Sequence, residues 1–364
     1  MNRNKTINQD RKFFKAGNVT LAFLAISCFI FLFGTMSCST GNQSVQENAA
    51  DTSATTLADL FSEEHVWTAP DTASIPNNEE GKMIWYGRTL IMHTSKYFGP
   101  NGKLSHNTNG LNCENCHLQA GTKPYGNNLG STSTMYPKFL PRSGTVISVA
   151  QKINECFTRS LNGEPIDTNS KEMQAYVAYI KWLGQTFKKE KKLTGSEGIK
   201  APHFIDRAAD PEKGKEVYDL YCKRCHAADG QGQLFTDVMK DETKQQGGVA
   251  TADDLYYYPP LWGEHSFNAV ATLYRLSKFA GFIQNNMPYP IAYTNPVLTD
   301  EQAWDVAAYV NSRERPVKDH SQDYISDISK KPYDFPFPPY ADKFSAEQHK
   351  FGPYAEMPSA KKAH

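Results

Sequence analysis

The sequence predicts an all-α chain of two similar domains in tandem, each with a loop-rich middle, followed by an extended C-terminal tail. Three observations carry this expectation. The string Cys113-Glu114-Asn115-Cys116-His117 returns as Cys222-Lys223-Arg224-Cys225-His226. Each copy lies between segments whose apolar residues recur at helical spacing. Beyond Arg315 the composition turns to proline and aromatics, as in Tyr333-Asp334-Phe335-Pro336-Phe337-Pro338-Pro339-Tyr340, where proline blocks both helix and central strand.

The repeated string carries specific chemistry. Two thiols at this spacing can add across the vinyl groups of a haem while the histidine behind them ligates iron. A Cys-x-x-Cys pair alone also suits a zinc knuckle or a disulfide, but the trailing histidine and the repetition favour two covalently bound haem c groups. Cys113, Cys116 and His117 would hold the first, and Cys222, Cys225 and His226 the second.

The elements follow in order. Residues 1–38 read as an export signal: Arg3, Lys5, Arg11, Lys12 and Lys15 precede an apolar run over 19–33, too short for a comfortable membrane span. Small residues then lead into Cys38, which suits a lipidated first residue; an ordinary signal peptide or an uncleaved anchor are the alternatives. All three place the protein outside the cytoplasm, where c-type haems are attached, and the first makes it a membrane-anchored lipoprotein of the periplasm. Residues 39–78, rich in Ser, Thr, Ala and acids, read as a tether ending in a docking segment.

The first domain spans 79–195. It opens with an amphipathic helix over 79–97 and closes with one over 170–183, capped by Ser170 and striped by Met173, Tyr176, Val177, Ile180 and Leu183. This is the plan of a small c-type cytochrome. The basic run Lys188-Lys189-Glu190-Lys191-Lys192 reads as a solvated connector. The second domain, 196–315, repeats the plan: Asp210-Pro211 starts a helix before the second motif, and Thr299 with Gln302 forms a capping box for the closing helix. The tail, 316–364, is expected to drape over the domains with its aromatics in grooves. At 364 residues the chain has room for this plan, and 39 basic against 39 acidic residues give no global charge that would recruit nucleic acid.

Each iron needs a second axial ligand. For the second haem the candidate is Met287 in Asn286-Met287-Pro288, with Met239 as competitor; His/Met ligation raises the potential and suits electron transfer. The first domain has no comparable Met-Pro. Of seven cysteines, four belong to the haem motifs and Cys28 and Cys38 to the signal, which leaves Cys156. It lies in the expected loop-rich middle, where a distal ligand should arise, and as a soft nucleophile it could also meet a sulfur substrate. Arg142, Lys152 and Arg159 are close to it in sequence and Ser160 follows one helical turn later. Such cations would depress the thiol pKa and bind a small dianion, unless they face solvent or haem propionates.

At this point the pattern resembles the dihaem thiosulfate dehydrogenase family of c-type cytochromes, which join two thiosulfates into tetrathionate and in some members run the reverse reaction. The resemblance rests on Asn109-Gly110-Leu111-Asn112 before the first motif, Ile153-Asn154-Glu155-Cys156-Phe157 with Arg159-Ser160-Leu161-Asn162-Gly163, Asn286-Met287-Pro288, Pro339-Tyr340-Ala341-Asp342, and Gln348-His349-Lys350-Phe351-Gly352-Pro353. It implies that His117 and Cys156 ligate the active-site haem, that Arg142 and Ser160 hold substrate, and that Met287 ligates the haem from which electrons leave for a cytochrome-type partner. The sequence departs from the pattern at Lys152, where Arg is expected, and at Asn286, where some members carry Lys. Two other classes fit the motifs: a non-catalytic dihaem electron carrier, expected to have two His/Met haems, and the dihaem subunits of complexes that load sulfur onto a carrier protein.

Overall fold

The computed structural model describes residues 66–187, 195–196, 198–240, 250–290 and 293–358. The export signal, Cys28, Cys38, most of the tether and the basic run 188–192 lie outside the described residues. Those described form a mainly helical structure with two short antiparallel hairpins.

The first half is framed by α1 (Glu79–Met92) and α4 (Lys171–Leu183), with α2 (Thr94–Phe98), β1 (Lys138–Leu140), β2 (Thr145–Ile147) and α3 (Val149–Arg159) between them. The helix expected over 79–97 is broken at His93, whose backbone leaves the helical region at φ −126°, ψ 44°. Asn78 and Ser170 cap α1 and α4 by accepting from Gly81 N–H and Met173 N–H.

The second half repeats this frame. α5 (Pro211–Tyr221) is capped by Asp210 with proline at its first position, and α7 (Asp300–Asn311) starts at the Thr299/Gln302 capping box. Between them lie β3 (Gln233–Leu234), paired with β4 (Tyr256–Tyr258), and α6 (Leu276–Asn286).

One crossing is made twice. A Cβ on Gly87 of α1 would stand 2.0 Å from Ala175 O of α4, next to the Tyr179 side chain. A Cβ on Gly214 of α5 would stand 1.9 Å from Asp305 O of α7, next to Tyr309. Only glycine lets the opening helix of each half touch the backbone of the closing one. Each half has its own buried apolar core, one around Leu90, Phe157, Tyr176 and Leu183, the other around Tyr218, Phe279, Trp304 and Val306.

Buried asparagines join the halves. Asn109 Nδ2 donates to Ser266 O at 2.9 Å, Asn112 Nδ2 to Asp254 Oδ1 at 2.7 Å, Asn268 Nδ2 to Thr158 O at 2.9 Å, and Asn286 Nδ2 to Tyr125 O at 3.1 Å. An amide can satisfy a donor and an acceptor from different segments, so it suits a junction built from loops.

The tail is more ordered than an extended drape. It contains α8 (Ala346–Phe351), and Tyr333, Tyr354 and Met357 are buried in the core of the second half. Asp334 accepts from Arg275 Nε at 2.7 Å and from Ser277 N at 3.0 Å. Arg159, at the end of α3, forms a two-pronged pair with Asp323 at 2.8 and 2.7 Å, which ties the tail to the first half.

Candidate haem sites and the chamber at Cys156

The first Cys-x-x-Cys-His segment is fixed from both ends. Cys113 N–H donates to Thr94 Oγ1 at 3.0 Å, and the preceding Asn112 accepts from Ser95 N–H at 2.8 Å, so α2 holds the start of the motif. At the far end His117 Nδ1 lies 2.6 Å from Asn127 O. The second motif is held alike, with His226 Nδ1 2.9 Å from Pro259 O. A carbonyl only accepts, so each Nδ1 carries the proton and each Nε2 keeps its lone pair. Burial pushes both imidazole pKa values down, which keeps the rings neutral.

Cys113, Cys116 and His117 line one cavity of about 1490 Å3, and Cys222, Cys225 and His226 another of about 1180 Å3, each measured out to its mouth. Both walls are largely apolar. No two cysteines among the described residues are bridged, and no group of three His, Cys, Asp or Glu converges to hold a metal ion unaided. A zinc site therefore lacks its ligand set among the described residues, while a thioether-linked haem needs only what each cavity offers: two thiols, a neutral imidazole with a free Nε2, and an apolar slot. The residues fit the group.

Each cavity borrows a wall from the other half. Phe267, Ala271, Thr272 and Leu273 of the second half line the first cavity, and Glu114, Asn115, Leu118 and Gln119 of the first half line the second. Sequence reading did not find this exchange, because no local pattern marks a residue that packs against a different domain.

Besides the motif thiols, Cys156 and Met135 bring sulfur to the first cavity and Met287 to the second. Met287 caps the C-terminus of α6, giving its N–H to Ile283 O, and lines the second cavity with Pro288 and Tyr289. Its competitor Met239 is 39% exposed on the surface. Asn286 is buried, and its amide donates to Tyr125 O and Phe282 O rather than lining the cavity.

Cys156 lines the first cavity together with Lys152 and Ser160. It does not sit in a loop. Ser148 and Gln151 form a capping box that starts α3, and spacings of four place Lys152, Cys156 and Ser160 along one side of it. Burial pushes the Cys156 thiol pKa up, and the lowering by Lys152, Arg142 and Arg159 does not overcome it; the expected depression by cations is therefore not found.

Arg142 and Arg159 are not among the lining residues. Arg142, buried at the turn between β1 and β2, pairs with Glu155 at 2.6 Å, and Lys152 pairs with the same Glu155 oxygen at 2.9 Å. Burial pushes the Glu155 carboxyl pKa up, but Lys152 and Arg142 outweigh it and hold the carboxyl below its usual range. Arg159 is engaged by Asp323. Glu155 was legible only as part of a sequence string; its role as common partner of two cations depends on the hairpin turn folding back over α3.

Fold, motifs and paired cavities define a tandem dihaem c-type cytochrome whose two haem pockets differ in their lining residues. The "SoxA/TsdA, cytochrome c domain" model matches residues 103–188 and the "Cytochrome c" model residues 211–314. A thiosulfate dehydrogenase from Stutzerimonas stutzeri is 34% identical over 70% of this chain and 74% of its own length. One from Allochromatium vinosum is 32% identical over 69% of this chain and 84% of its own. The chain belongs to the thiosulfate dehydrogenase family. Among solved structures it resembles a thiosulfate dehydrogenase (TsdBA) from Marichromatium purpuratum, with a TM-score of 0.58 and 28% identity, covering 69% of this chain and half of that one.

Proposed function

We propose that this protein oxidises thiosulfate, joining two molecules into tetrathionate with release of two electrons, in the cavity shared by His117, Cys156, Lys152 and Ser160. The supporting observation is that a cysteine, a lysine and a hydroxyl share one helix side in the first cavity, a grouping that the second cavity lacks. An electron carrier alone has no need of a nucleophile and a cation beside its cofactor.

His117 and Cys156 would hold the iron of the first haem, and His226 and Met287 that of the second; the haems would supply one-electron acceptors. Lys152 binds the sulfonate oxygens of thiosulfate and Ser160 donates a hydrogen bond, while Arg142 adds fixed positive charge behind Lys152. As a thiolate, Cys156 would form a sulfur–sulfur bond to thiosulfate, the two electrons of this oxidation passing singly to the haems. A second thiosulfate then attacks the sulfane sulfur of that adduct, which makes tetrathionate and returns the Cys156 thiolate. Holding two dianions together is the main electrostatic cost, and the cations lower it. Arg159 is assigned to positioning, since its pair with Asp323 fixes the end of α3.

The reverse reduction of tetrathionate uses the same site, and electrons exchange with a cytochrome-type partner at the second haem. The export signal and lipidation at Cys38 are read from sequence and would tether the protein outside the cytoplasm. The test is Cys156→Ser in the haem-loaded protein. Thiosulfate should no longer reduce the haems although both remain attached; reduction at the normal rate would refute the assignment.

A further inference from the structure

Two cations beside the first cavity share one counter-ion. Glu155 Oε2 lies 2.6 Å from Arg142 Nη2 and 2.9 Å from Lys152 Nζ. Glu155 directly precedes Cys156 in α3. The nearby pair of Arg159 and Asp323 is already balanced. Arg142, Lys152 and Glu155 together therefore leave a single net positive charge, although both substrate and product carry two negative charges.

The two cations are not equally held. Arg142 is the more buried, with 11% of its side chain exposed against 28% for Lys152. Of the two only Lys152 lines the cavity. A half-buried lysine paired at i,i+3 on a helix is less firmly held than the more buried arginine and can exchange partners. A site that bound tetrathionate as firmly as its positive charge allows would stabilise substrate, product and transition state alike, which lowers KM without speeding turnover.

We propose that Glu155 is a positioning and affinity-setting residue of the anion site: it holds Arg142 and Lys152 in place and offsets one of their charges, and Lys152 leaves it to meet an incoming sulfur oxyanion. This rests on thiosulfate as substrate for its role in turnover, but its charge argument applies to any tetrahedral dianion, which allows the two to be tested apart.

The haem-loaded protein is titrated calorimetrically with sulfate, an unreactive dianion, at several ionic strengths, and thiosulfate kinetics are measured in parallel. Glu155→Gln keeps the shape and removes the charge. Its sulfate Kd and thiosulfate KM should each fall by about five- to tenfold, an order of magnitude typical of one unit charge near a partly exposed site. Binding should also weaken more steeply with added salt. Glu155→Asp keeps the charge and shortens the reach, so its salt dependence should match the native protein and its affinity should not increase. Unchanged or weaker sulfate binding in Glu155→Gln with both haems attached would overturn the proposal, as would tighter binding in Glu155→Asp. A native protein that binds sulfate but is not reduced by thiosulfate would refute the substrate and leave the role of Glu155 standing.

Discussion

Phe267 and Phe279 meet edge to face with their ring centroids 5.8 Å apart, and the two rings line different cavities. The pair therefore joins the wall of one slot to the wall of the other. Phe279→Ala should cost about 3–5 kcal/mol, because a buried ring is lost at a place where two apolar walls meet. The absorption bands of both haems should shift in that variant, as seen in redox titration followed by visible spectroscopy. A change confined to the second haem would mean that the wall is not shared.

The polar side of the same junction makes stability depend on pH. Burial pushes the Glu114 carboxyl pKa up to about 7. Such an acid favours the folded state when protonated, a contribution fully present below its ordinary value and lost as pH rises through its folded one. His93 is raised as well, chiefly by its hydrogen bond to Asp254 across the junction, and its contribution is likewise lost on raising pH. Thermal melts should therefore show lower stability at pH 8 than at pH 6. Glu114→Gln should be more stable than the native protein at pH 8, by up to about 3 kcal/mol, and close to it at pH 4. A native protein that gains stability from pH 6 to pH 8 would contradict both assignments.

Removing Met287 should separate substrate chemistry from electron exit. In Met287→Ala, thiosulfate added in a stopped-flow experiment should still reduce the first haem, whereas turnover with an external cytochrome should drop at least tenfold. Unchanged turnover would remove Met287 from the electron route.

The pair of Arg159 and Asp323 joins α3 to the tail, and both side chains are largely buried, at 17% and 7% exposure. Asp323→Ala leaves a guanidinium without its counter-ion and should cost about 3 kcal/mol. Calorimetry should show that loss, with activity falling less than in Cys156→Ser. An equal loss of activity would place Arg159 in the chemistry itself.

Local signals carried most of the fold. Helix caps at Ser170, Asp210 and Thr299, together with apolar periodicity, marked three framing helices, and the duplicated cysteine string announced the two pockets. The string also led to Cys156 by elimination. What was not legible depends on long-range meetings. His93 ends α1 early because its ring turns to Asp254 in the other half. The capping box of Ser148 and Gln151 is legible in the sequence and starts the helix that carries Cys156. Arg142 and Arg159 read as two free cations near a thiol, and the structure gives each a carboxylate from a segment that sequence distance does not reveal.

The exchanged walls also bear on how the molecule is built. Glu114, Asn115, Leu118 and Gln119 surround the ligands of the first motif along the chain but line the second cavity, and Phe267, Ala271, Thr272 and Leu273 do the reverse. The first haem pocket is therefore complete only when the second half is folded against it. Maturation of the two centres is thus linked, and a graft that replaces one half with that of a relative must carry the matching wall of the other.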